Sequence, residues 1–322
     1  MRFVLRRLAH TLLVLLGVSV LTFCLLELAP GDFFNDLLLN VQTSPATVAA
    51  MRAQYGLDRP LPVRYGLWLR SVALGDWGYS FAYHLPVFPL LWARAKNTLL
   101  LTVVAAVLGW LLAIPLGIWT AEHRGKWLDR FVSGLSSSLL AIPELLLALV
   151  FLVLAVRTRM FPVGGMVSLD HAELGATAKI RDLAIHMVLP VLVLVLGTLP
   201  IFLRHVRAGM IEALAQPFVQ SARGHGIRRR TILYRYALAA AANPLISLLG
   251  LSIATLLSGS LLVEVIMSWP GLGPLLLEAI LGRDIYVVIG AVVLSTVFLV
   301  TGNFVADVLL YAVDPRIRME SS

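Results

Sequence analysis

Apolar residues in this chain gather into six long blocks, each free of Lys and Arg and separated by polar segments of very unequal length. The blocks cover approximately residues 8–28, 98–120, 131–155, 184–203, 244–267 and 286–311. Each reaches the roughly 20 apolar residues that a helix needs to cross a bilayer. None shows the alternating ten-residue pattern of a barrel strand, and backbone groups in hydrocarbon must be satisfied within the segment, so all six are predicted helices. The pattern therefore describes an all-α membrane protein with six transmembrane helices.

The segments between the blocks carry their own signals. Residues 29–97 are long for a connector, and the pattern predicts two short helices there. Ser44-Pro45 resembles an N-cap with proline at the first helical position, after which Val48, Met51 and Tyr55 recur at helical spacing until Gly56. Pro60 and Pro62 open a second amphipathic stretch ending near Gly75. The expected organisation is a first helix over 1–28, a cap outside the membrane over 29–97, and a core over 98–322. The core contains a loop at 204–243, rich in Ala and Arg, and helical in pattern. Within it Ala222 and Gly226 are four apart, which predicts a shared helical face small enough for another protein backbone to approach.

Composition sharpens this picture. Only 14% of the 322 residues are charged, against about 25% in a soluble domain. The net charge of +8 belongs on a chain this apolar to loops facing anionic headgroups, not to nucleic acid. With the N-terminus inside, segments 1–7, 121–130, 204–243 and 312–322 hold 15 Lys and Arg, against 11 in the longer outer segments 29–97, 156–183 and 268–285. That asymmetry places both termini in the cytoplasm. The run 8–28 is long enough to span, and no small-x-small site follows it, so it is read as an uncleaved helix. Cys24 is the only cysteine and excludes an intrachain disulfide.

Several motifs then carry a family resemblance. The stretch Gln216-Pro-Phe-Val-Gln-Ser-Ala-Arg-Gly-His-Gly226-Ile, continuing to Leu238 and Pro244, resembles the cytoplasmic "EAA" loop of binding-protein-dependent ABC importer permeases of the dipeptide/oligopeptide/nickel branch. Leu5-Arg-Arg-Leu8, Gly17-Val-Ser19 and Leu28-Ala-Pro-Gly-Asp32 are similar to that branch's first helix. Gly56-Leu-Asp58-Arg-Pro60, Leu74-Gly-Asp76-Trp-Gly78-Tyr-Ser80, Ser268-Trp-Pro-Gly-Leu-Gly273 and Asp314-Pro-Arg316 follow in the expected order. The loop departs from the family pattern at Gln220, where its Glu stands, at Ser221, and at Ala239, where the general pattern closes on proline.

The resemblance implies a type I importer permease: an N-terminal helix plus a five-helix core, paired with a second permease, driven by two ATPases and served by a periplasmic binding protein. It implies an ATPase-coupling role for Gln220, Ser221, Ala222, Arg223, Gly226, Ile227 and Leu238. It places a periplasmic gate at Ser268, Trp269, Pro270, Gly271 and Gly273. The implied function is import of di- or oligopeptides across the inner membrane, with nickel or another small solute as the alternative cargo. Independently of family, no G-x-x-x-x-G-K-[ST] occurs, so the chain lacks the loop that cradles nucleotide phosphates and is expected not to be an enzyme. No cofactor or metal is called for.

Individual polar residues in the apolar blocks need their own account. Glu144 follows Pro143 near mid-bilayer, where an ionised carboxylate costs at least ~2.5–3.5 kcal/mol. It is either a pathway carboxylate meeting a cationic group of the cargo, or a protonated acid satisfied locally or at the partner permease. Glu264 is a second pathway candidate near the gate; the alternative is a snorkelled acid beside an interfacial Trp269. Asn303 and Asp307 share a face and suit a helix–helix contact. His186 and His205 lack a third ligand for a metal site. Ser136, Ser137 and Ser138 suit packing. Two rivals from other classes are an intramembrane enzyme, active without an ATPase, and an ion-driven secondary transporter with Glu144 carrying the proton.

Overall fold

The computed structural model describes residues 2–28, 45–54, 56 and 58–313. Ser44, Tyr55, Leu57 and the motifs at 29–32 and 314–316 lie outside the described residues. In chain order the first helices are α1 (Arg2–Leu28), α2 (Pro45–Gln54) and α3 (Leu61–Ala73). A two-residue antiparallel hairpin follows, β1 (Tyr79–Ser80) on β2 (Leu85–Pro86). Then come α4 (Val87–Glu122), α5 (Trp127–Leu140), α6 (Glu144–Thr158), α7 (Ala176–Leu214) and α8 (Pro217–Gly224). The chain ends in α9 (Ala242–Ile266), α10 (Leu272–Leu281) and α11 (Ile285–Val313).

Among the described residues five helices are long and apolar enough to cross a bilayer: α1, α4, α7, α9 and α11, with mean hydropathy of 2.0 to 2.5. The sixth crossing differs from expectation. The block 131–155 is two helices, α5 and α6, bent by 96° at residues 141–143. Pro143 is the physical reason, because it supplies no N–H and its ring opposes the carbonyl four residues back. The first helix stops at Leu140, and the second starts directly after the proline. The two helices expected between 45 and 75 are α2 and α3.

The chain folds into two compact units, residues 1–97 with 270–300, and residues 98–269 with 301–322. The N-terminal unit thus takes in 270–300 from far along the chain. Packing within that unit explains why. Phe23, Trp68, Ile289 and Val293 form one buried cluster, with Tyr65 edge-on to Phe23 at 5.6 Å. Buried Asp284 accepts from the Ser80 hydroxyl at 2.6 Å and the Ala82 N–H at 3.2 Å, pinning the hairpin. Tyr83 donates to Glu278; burial first, and this carboxylate second, push the phenol up to about 12.

The other unit has apolar clusters at three levels. One joins Leu101, Ala148, Val193, Leu256 and Trp269; the next joins Trp110, Phe202, Val206, Met210 and Ala237; the last joins Val219, Ala222 and Ile232. Missing side chains set how closely the helices approach. A Cβ on Gly117 of α4 would lie 2.5 Å from Val206 of α7, and one on Gly250 of α9 would lie 2.5 Å from Ala306 of α11. Asn303 stands against the same Gly250, at a contact between two helices.

Candidate functional site

The break after Pro143 makes Glu144 the first residue of α6, where a negative charge suits the unpaired N–H groups of a helix start. Its carboxyl group lies at a crossing of three helices. An alanine Cβ at Gly197 of α7 would fall 2.5 Å from Glu144 Oε1, and one at Gly259 of α9 would fall 2.5 Å from Oε2. Two glycines thus provide the space that the acid occupies. Glu144 is half-buried and makes no hydrogen bond or ion pair among the described residues. A carboxylic acid that is half-buried and bonded to no side chain among the described residues is able to meet a cation or carry a proton.

The second pathway candidate, Glu264, and the gate candidates Ser268 and Trp269 lie at the end of α9. The Trp269 N–H donates to the Glu264 carbonyl at 2.8 Å and the Ser268 N–H to the Val265 carbonyl at 3.3 Å. This pair of bonds closes a helix end through one left-handed residue, and here that residue is Ser268, at φ 52°. Glu264 and Trp269 are both fully buried at 0% exposure. That excludes the snorkelled acid beside an interfacial tryptophan, because neither side chain reaches a surface. The Gly165 N–H donates to the Met267 carbonyl at 3.1 Å, docking the loop 159–175 on the same turn. In the N-terminal unit, Pro270 accepts from Asn97 Nδ2 at 2.8 Å, Gly271 is the extended N-cap of α10, and Gly273 is buried in its first turn.

The coupling candidates fall on α8 and the turn after it. Pro217 occupies the first helical position, and Val219 and Ala222 are buried at 0% and 5% exposure against Ile232. Gln220, Ser221 and Arg223 are exposed. The expected small face shared by Ala222 and Gly226 is absent. The helix ends at Gly224, and Gly226 is the left-handed residue that ends it, at φ 72°. The Ile227 N–H reaches the Ala222 carbonyl at 3.2 Å and the Gly226 N–H reaches the Arg223 carbonyl at 3.0 Å. Ile227 packs on the Ala222 cluster, completing the hydrophobic contact that accompanies such a cap. Ala222 therefore faces its own chain. Leu238 follows a π-helical turn over Ile232–Ala237 and packs on the middle cluster.

Three ionic contacts were not legible beforehand. Asp129, 3% exposed, takes a two-pronged bond from Arg207, Nε at 2.7 Å and Nη2 at 2.8 Å, plus the Gly125 N–H at 2.8 Å. This ties the loop before α5 to the C-terminal part of α7. Arg229 pairs with Glu122 at the end of α4, which raises the arginine's pKa above its ordinary value. The Asp182 carboxylate gathers Ser168 and His171 Nδ1 at 2.6 Å, while His186 Nδ1 bonds the Asp182 backbone carbonyl at 2.8 Å and lies 3.3 Å from the carboxylate. Among the described residues no His/Cys/Asp/Glu cluster is arranged to hold a metal.

Comparison with known proteins places this geometry. Residues 113–319 match the family described as "Binding-protein-dependent transport system inner membrane component", and residues 1–102 match its N-terminal counterpart. The chain belongs to this family: it is a multi-pass inner-membrane permease of an ABC importer. Relatives run end to end. The oligopeptide transport system permease protein AppB of Bacillus subtilis is 34% identical over 318 residues, covering 98% of this chain and 99% of that protein. The dipeptide transport system permease protein DppB of Escherichia coli K12 is 32% identical, with 99% of each chain covered. Among solved structures, an inward-facing form of the MetNI methionine ABC transporter aligns with a TM-score of 0.58 at 19% identity, covering 70% of this chain and 96% of that one. That similarity is one of fold: the type I importer permease.

Proposed function

We propose that this chain is one of two permeases of an importer of short peptides, with both termini in the cytoplasm. Two separate ATPase subunits drive it, and a periplasmic binding protein loads it. The observation that carries the cargo is the similarity to oligopeptide and dipeptide permeases along the entire chain. Residues 1–28 form the separate first helix, 29–97 the outer cap and 98–322 the core. ATPase docking falls on the exposed side of α8, at Gln220, Ser221 and Arg223. Ala222, Gly226, Ile227 and Leu238 serve it indirectly, by holding that side in place. Closure of the ATPase pair would move α8 as a rigid body, because one side of it is packed and its C-terminal end is capped. The turn 268–273 acts as the outer gate, Glu264 lies beneath it, and Glu144 lies on the pathway.

The test is uptake of radiolabelled dialanine by proteoliposomes holding the chain with a second permease, ATPases and binding protein. Uptake should require Mg-ATP and survive an uncoupler. Transport by the chain alone, or transport that follows a proton gradient and ignores ATP, refutes the proposal. Cysteines at 220 and 223 should crosslink to the ATPase; labelling by lipid probes alone removes the docking role. Glu144→Gln should slow peptides with a free amine more than blocked ones, and equal uptake of both removes Glu144 from the pathway.

A further inference from the structure

A cavity of about 160 Å³ lies between α5, α7 and the C-terminal end of α4. Small-molecule sites occupy roughly 300–1,000 Å³, so this one admits a single compact group and not a whole solute. Thr120, Pro200 and Leu203 line it as buried residues, and the Thr120 hydroxyl is spent on the Leu116 carbonyl at 2.8 Å. Arg204, Ser137 and Leu140 line it as exposed ones, and Ser136 is half-buried. The open side therefore offers a charge, a hydroxyl and an apolar side chain together.

Two arginines one helical turn apart line this cavity, and only one of them is compensated. Arg207 gives Nε at 2.7 Å and Nη2 at 2.8 Å to buried Asp129. Arg204 makes no side-chain bond among the described residues, and neither does the hydroxyl of Ser136. Arg204 follows directly on the apolar block 184–203, where hydrocarbon gives way to headgroups, and ionisable groups at such depths pair with something. Trp127 and Phe131, at 72% and 62% exposure near the start of α5, suit the same level, because aromatic rings gather at the membrane–water interface. A basic pocket between membrane helices at that level is suited to a lipid headgroup.

We propose that this cavity binds the phosphate of an anionic phospholipid, with its oxygens on the Arg204 guanidinium and the Ser136 hydroxyl and its chains leaving over Leu140. A guanidinium presents two parallel N–H groups to a phosphate. One uncompensated positive charge matches the single negative charge of a phosphodiester, whereas free phosphate carries nearer two and leaves Leu140 without a use. Size agrees, since the phosphate alone enters and the rest of the lipid stays in the bilayer. The inference is independent of the cargo, and the lipid would bridge α5 to α7 beside the Asp129–Arg207 pair.

The test uses the full chain, stripped of copurifying lipid in detergent, and native mass spectrometry with dioleoylphosphatidylglycerol as the probe. The first lipid should bind saturably, and net-neutral dioleoylphosphatidylcholine roughly tenfold more weakly. Arg204→Gln should lower the phosphatidylglycerol affinity about tenfold, the loss expected for one charged hydrogen bond, and Ser136→Ala should lower it severalfold. Arg124→Gln, an exposed change outside the cavity, should alter nothing. Arg204 is exposed, so its substitution leaves folding intact, and an unchanged unfolding temperature without lipid verifies this. Equal affinity in Arg204→Gln, or equal binding of the two lipids, overturns the proposal. Inorganic phosphate at about 10 mM should leave the lipid in place. Displacement by phosphate makes this a site for a soluble anion, and displacement by dialanine makes it part of the cargo route; either result overturns the proposal as well.

Discussion

Replacing the two glycines that hold Glu144 is the most direct way to ask what that acid does. A Cβ at Gly259 would lie 2.5 Å from Oε2 and 3.1 Å from Cδ, and one at Gly197 would lie 2.5 Å from Oε1 and 2.9 Å from Cγ. Ordinary contact begins near 3.4 Å, so either alanine asks the carboxyl to retreat by about 0.9 Å. The carboxyl ends a flexible side chain, and the opposite glycine leaves it somewhere to go. A single alanine should therefore cost about 1 kcal/mol, the low end of overpacking. Both together close the retreat and expel the side chain, at about 2–3 kcal/mol. Adding Glu144→Ala to the double variant removes the obstacle, and the resulting cycle should return a coupling of about 1–3 kcal/mol. Thermal unfolding in nanodiscs measures this, at roughly 2–4 °C per kcal/mol. If the paired alanines destabilise equally with and without Glu144, the acid is not what the glycines accommodate, and the three-helix crossing loses its meaning.

The remaining predictions concern the caps, the hairpin and the Asp129–Arg207 ion pair. Gly226→Ala meets no atom within 4 Å, so its cost of about 1–2 kcal/mol is backbone strain alone; Ser268→Gly relieves the same strain at the end of α9 and should raise the unfolding temperature by a few degrees. Because Tyr83 is raised to about 12, its stabilising contact is fully present below the ordinary tyrosine value near 10 and is lost as pH rises through 12; an absorbance titration should lose its last phenolate step in Tyr83→Phe. Arg207→Leu strands Asp129 at 3% exposure and should cost about 3 kcal/mol by thermal unfolding, most of it restored by Asp129→Asn in the same chain.

Much of the fold is legible in the order of residues because long apolar blocks have one solution in a bilayer. The broken crossing is less so. Pro115, Pro190 and Pro200 remain inside α4 and α7, so proline alone does not separate a tolerated kink from a break. The neighbours of Glu144 are invisible locally, since Gly197 and Gly259 come from other helices. Spacing misled at 222 and 226 for a definite reason: the glycine counted as a member of the face is the residue that stops the helix. Asp182 was missed because its partners Ser168 and His171 belong to a loop with no periodicity to read. The comparisons establish the family.

The division of α8 into a packed inner side and a bare outer one has a practical use. Val219, Ala222 and Ile227 anchor the helix, whereas Gln220, Ser221 and Arg223 contribute nothing to the hydrophobic interior. Those three positions can be randomised together without disturbing the architecture beneath them. With ATPase docking proposed at these positions, a library built there would select for new motor partners, yielding transporters that answer to one engine in a cell that contains several.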